Sequence, residues 1–183
     1  MIRGKGFHHQ DKFIYEESNL ILKTAKSKEG RVVNVSSVGH SFTDNYIADD
    51  MDCSQGWNTT ESYCRSKLAN VMFTFSLADK FEKSKLNIKA ASLHPGFIDT
   101  NFQNDHCFYN IFRYVFCCCS KSPERGAVAS LHASRASWVD LKNGSYFNTD
   151  ETLKEPSDAS KNREECERLW KLSEKIYEIK FEI

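Results

Sequence analysis

"RVVNVSS", residues 31–37, is a short β-branched run between Gly30 and Gly39 that ends in two serines. A run apolar on both faces reads as a strand buried inside a parallel sheet. The elements around it alternate. Residues 11–28 read as a helix that ends at Gly30, and residues 40–60, with Asp49-Asp50-Met51-Asp52, read as a long polar loop. Thr59, Thr60 and Glu61 offer caps for a helix over about 61–84. Its apolar positions Leu68, Val71, Met72, Phe75 and Ala78 recur at threes and fours. Residues 87–93 (NIKAASL) form a second strand, stopped by His94-Pro95-Gly96. Ser122-Pro123-Glu124 opens a helix that runs to about 136. Residues 144–147 follow as a short strand, and residues 158–178 as an amphipathic helix. This order predicts an α/β fold with a parallel sheet.

Composition narrows the function. The 183 residues suit one domain with a real core. Lys+Arg and Asp+Glu balance at 25 each, so there is no basic footprint and no nucleic-acid partner is expected. The longest apolar runs fall short of a membrane span and the first residues do not form a signal peptide, which predicts a cytoplasmic protein. Seven cysteines, three of them adjacent at Cys117, Cys118 and Cys119, suit a reducing compartment better than a disulfide framework. With His106 and Cys107 they match no common zinc spacing, so no metal site is expected. The aromatic stretch 108–119 offers a surface for membrane association, and its cysteines a site for palmitoylation.

The candidate chemistry sits in "YCRSK", residues 63–67. Tyr63 and Lys67 fall one helical turn apart on one face. On spacing alone this would be an ordinary surface pair. Its neighbours change the reading. Ser37 closes one strand, Pro95-Gly96 closes the next, and Thr100 follows shortly after. In an open parallel sheet, ligands bind at that edge, so four segments converge on one crevice.

"NVSS" at 34–37, "YCRSK" at 63–67 and "HPGFIDT" at 94–100 resemble the short-chain dehydrogenase/reductase family. "GRVVNVSSVGHSF", "YCRSKLANVMFTFSLA", "KSPERGAVASL", "GSYF" and "ERLWKLSEKI" together resemble its retinol-dehydrogenase-like branch, over roughly residues 19–178. The resemblance implies a doubly wound, Rossmann-like sheet. It also implies an oxidoreductase that interconverts an alcohol and a carbonyl on a lipophilic, retinol-like substrate with NADP(H), NAD being the alternative. Carried over residue by residue, Tyr63 is the acid/base and Ser37 the donor to the substrate oxygen. Lys67 activates Tyr63 and anchors the nicotinamide ribose. Pro95, Gly96, the Ile98 backbone and the Thr100 hydroxyl would flank the nicotinamide. Residues 104–120 would cover the substrate. A phenol of ordinary pKa near 10 is a poor base at neutrality, and a nearby ammonium is expected to lower it. His40 and His94 read as structural.

The chain departs from that pattern at its start. No Gly-rich turn follows a strand, and the acidic or basic residue that reads the ribose 2′ position has no match. Residues 1–18 diverge from the family, and no catalytic Asn is carried over near Gln10. Residues 1–183 therefore read as a single, truncated domain: the chemical half of the fold without its adenosine half. Two consequences follow. The strand 31–35 is left with an open edge, which predicts self-association. A second function class also stands open, a non-catalytic remnant acting as an interaction or regulatory fragment.

Overall fold

A computed structural model describes residues 29–44, 59–98 and 121–178. The helix expected over 11–28, the divergent segment 1–18, Thr100, the lid at 104–120 and the membrane surface at 108–119 lie outside the described residues.

Three strands form one parallel sheet in the order β1 (Gly30–Val35), β2 (Ile88–Leu93), β3 (Ser145–Phe147). Val32 stands opposite Ala90 and Val35 opposite Leu93, while Leu93 stands opposite Phe147. The helix α1 (Thr59–Lys83) joins β1 to β2, α2 (Pro123–Arg135) joins β2 to β3, and α3 (Arg163–Tyr177) follows. The parallel α/β sheet read from the sequence is present, with element ends shifted by a residue or two, except that the last helix begins at Arg163 rather than at 158. Helix α1 starts at Thr59 rather than at 61. The last helix starts later than 158 because Asn162 caps it, its side chain accepting from the amides of Glu164 and Glu165.

The pleat sends alternate residues to opposite faces. Val32, Ile88 and Ala90 meet Leu68, Met72, Leu77 and Phe81 of α1 and Leu169 and Trp170 of α3. The Phe73 and Trp170 rings stack at 5.1 Å. Ala91, Leu93 and Phe147 turn the other way, toward Ala129 and Ala133 of α2. Helices thus cover both faces, as in a doubly wound fold. Arg31 ties β1 to the far end of α2, donating to the carbonyl oxygens of Ala133 and Ser134. Its guanidinium also lies over the Trp138 ring.

Helix α1 ends without a glycine. The Leu86 amide donates to the Phe81 carbonyl and the Lys85 amide to that of Glu82, a Schellman pattern with Lys85 in the left-handed position at φ 53°. Leu86 then packs on the core beneath α1.

Candidate active site

The ends of β1 and β2 and the first turns of α1 meet at one edge of the sheet. Ser37 begins a 3-10 turn, Val38–Ser41, and its hydroxyl accepts from the Gly39 amide at 3.1 Å. Across from it on α1 stands the Tyr63 phenol, close enough for the Ser37 hydroxyl to favour its ionised form. Ser36 points elsewhere, donating to the Lys67 carbonyl oxygen at 2.7 Å while 2% exposed. Gly39 shapes the approach: a Cβ there would stand 3.1 Å from Tyr63 Cε1. The strand pattern marks Gly39 only as a bound of the run. Its position two residues after Ser37 is the signal that could have found it.

The Lys67 ammonium lies 5.7 Å from the centroid of the Tyr63 ring. It makes no salt bridge among the described residues. Burial lowers its pKa. The phenol behaves differently from the sequence expectation. Burial pushes Tyr63 above its ordinary value, and only the Ser37 hydrogen bond works against that shift. The physical reason is placement. The half-buried ammonium lies over the ring, and desolvation of the phenol sets the direction of its shift. Tyr146 is a further neighbour that sequence reasoning missed. Its phenol is raised mainly by burial and then by Tyr63.

The turn after β2 has its own supports. Gly96 adopts φ +96°, and its amide donates to His94 Nδ1 at 3.3 Å. A Cβ at Gly96 would meet Thr149 Oγ1 at 2.8 Å, so both conformation and space require glycine. The Pro95 carbonyl oxygen accepts from Thr149 Oγ1 at 3.3 Å. Ile98 pairs with Lys121 in a parallel bridge, and the Lys121 ammonium donates to the Thr149 hydroxyl. The structure therefore brings Ser37, Tyr63 and Lys67 together, and builds Pro95, Gly96 and Ile98 into one braced turn. His94 belongs to the second group, through its bond from the Gly96 amide. It is buried, and burial first, then the Lys121 and Lys154 charges, lower its pKa to about 4.

The donor set suits the ribose end of a nicotinamide dinucleotide. A half-buried ammonium with no carboxylate partner among the described residues, one turn from a phenol, can bind a sugar diol. Among the described residues, no group of three or more His, Cys, Asp or Glu could hold a metal ion, and no helix is long and apolar enough to cross a membrane.

The family model for short chain dehydrogenase matches residues 14–107. The human protein retinol dehydrogenase 11 is 29% identical over 168 residues, covering 92% of this chain and 51% of the relative. Human retinol dehydrogenase 14 is 32% identical over 180 residues, covering 92% of this chain and 50% of the relative. The chloroplastic short-chain dehydrogenase TIC 32 B of Brassica napus is 30% identical over 170 residues, at 87% and 52%. The chain spans about half the length of these curated relatives. An uncharacterized protein from Mycobacterium Paratuberculosis, solved by crystallography, shares the fold with a TM-score of 0.57 at 22% identity, over 84% of this chain and 52% of that one.

Proposed function

This chain belongs to the short-chain dehydrogenase family, on its retinol-dehydrogenase-like branch, and we propose that it carries the proton-transfer half of an NADP(H)-dependent oxidoreductase. The reaction interconverts an alcohol and a carbonyl on a lipophilic substrate. The observation that carries this reading is the meeting of Ser37, Tyr63 and Lys67 at the C-terminal edge of a parallel sheet.

A bound nicotinamide dinucleotide, NADP or else NAD, supplies or accepts the hydride. The residues of this chain do the rest. Lys67, with Pro95, Gly96, Ile98 and Thr100, would hold the nicotinamide end. Ser37 donates a hydrogen bond to the substrate oxygen and keeps it beside Tyr63. The phenol, whose pKa is raised from an ordinary value already near 10, is in the protonated form that gives its proton to the oxygen as a carbonyl becomes an alcohol. In the opposite direction the phenol must first give its proton to solvent, so that the phenolate can take the proton of the alcohol, and the Ser37 hydroxyl is the group that favours that phenolate. Residues 104–120 would close over the substrate. The setting we propose is the cytoplasm, with 108–119 against a membrane surface.

Turnover of a lipophilic aldehyde with NADPH, by the chain joined to a family nucleotide-binding half, tests this reading. Loss of NADPH absorbance that depends on the aldehyde supports it. A folded protein that binds NADPH and turns over no carbonyl compound sinks it. The second reading, a non-catalytic interaction fragment, is favoured by one observation: among the described residues β1 is paired on one side only.

A further inference from the structure

His40 is 2% exposed and makes contacts that only one form of an imidazole satisfies. Its Nδ1 lies 2.7 Å from the Ser37 main-chain oxygen. Its Nε2 lies 3.2 Å from the Ser157 amide nitrogen and 3.2 Å from the Ser41 hydroxyl. A carbonyl oxygen can only accept, and a backbone amide can only donate. The ring must therefore carry its proton on Nδ1 and leave Nε2 bare, as the neutral imidazole.

The two ends of the ring reach different parts of the chain. Nδ1 holds the residue whose hydroxyl meets Tyr63. Nε2 holds Ser157, 117 residues further on. The Ser157 carbonyl in turn accepts from the buried Ser160 hydroxyl just before α3. The Ser157 hydroxyl reaches back to the His40 carbonyl oxygen at 3.5 Å. The Tyr146 ring of β3 packs on the imidazole at 4.8 Å. Tyr146, Lys154 and His94 are the titratable groups around the ring, and burial and Lys154 both disfavour a charge on it.

We propose that His40 is a positioning residue: in its Nδ1–H form it ties the Ser37 turn to the Ser157 segment and so fixes the Ser37 hydroxyl against Tyr63. Its consequence for turnover rests on the function proposed above, while its geometry does not.

The test uses backbone amide exchange in the full chain, with two variants that divide the ring. His40→Asn keeps a donor at the Nδ1 position and removes the acceptor at Nε2. His40→Gln offers an acceptor at the Nε2 position and removes the donor. Gly39 reports on the Ser37 hydroxyl, to which its amide donates, and Ser157 reports on Nε2. Exchange at Ser157 should speed up by about tenfold in His40→Asn with Gly39 retained, the loss of one hydrogen bond. In His40→Gln the pattern should reverse. Uniform acceleration across the domain in both variants, or no change at Gly39 in His40→Gln, overturns the proposal. Should either variant fail to fold, the imidazole ¹⁵N spectrum of the wild-type chain decides. A proton on Nδ1 is required, and a proton on Nε2 or a charged ring at neutral pH overturns it. An inactive chain leaves these readouts intact, so failure of the proposed function is recognised separately.

Discussion

The Ser36 hydroxyl donates to the main-chain carbonyl of Lys67 at 2.7 Å, while the adjacent Ser37 reaches the Tyr63 phenol. Two neighbouring serines thus tie the end of β1 to α1 at points one turn apart, one through backbone and one through a side chain. Ser36→Ala should cost about 1 kcal/mol of stability, the usual worth of one such bond, and little turnover in an active form. Ser37→Ala should do the reverse. Urea unfolding of both variants beside an activity assay checks the split, and equal effects on both properties in the two variants would refute it.

Lys85 occupies a left-handed position at the end of α1 that favours glycine. Lys85→Gly removes the clash of its Cβ and should stabilise the chain by about 1 kcal/mol. A higher urea midpoint at unchanged slope is expected. A lower midpoint would mean that the lysine side chain is worth more than the strain.

His94 should make the fold sensitive to acid. Burial first, then the Lys121 and Lys154 charges, lowers its pKa to about 4. The folded value lies below the unfolded value near 6.5, so the neutral ring contributes stability at pH 7. That contribution falls away as the pH drops from about 6.5 toward 4, because the unfolded chain binds the proton first. It amounts to at most about 3 kcal/mol. Urea midpoints across this window should fall steeply in the wild type and less steeply in His94→Asn. Identical slopes would remove His94 from the account.

Among the described residues β1 is paired on one side only, and its Val35 side chain is 41% exposed. Self-association at micromolar concentration is expected, and Val35→Lys should raise the monomer fraction in sedimentation. A wild-type chain that sediments as a monomer would mean that another part of the chain covers this edge.

Much of this architecture was legible because each element carries its own signal. The β-branched run of β1, the Ser-Pro start of α2 and the threes and fours of α1 place themselves. The meeting of Ser37 with Tyr63 was legible too, since both stand at the C-terminal edge of the sheet. What stayed hidden depends on contacts distant in sequence. The bond between His40 and Ser157 spans 117 residues, and the brace of Thr149 and Lys121 behind Gly96 joins three segments. The phenol was misread for a related reason. Spacing showed that an ammonium lay near Tyr63, but the sign of the shift is set by burial, which only packing reveals.

The most direct measurement is turnover by Tyr63→Phe, made in the chain joined to a family nucleotide-binding half. The substitution removes the phenol proton and keeps the ring. Turnover should fall by about 10²–10⁴ fold, as for loss of a general acid, with the folded signal unchanged. Turnover close to that of the unsubstituted protein would contradict the account and make Tyr63 and Lys67 an ordinary pair on a helix surface.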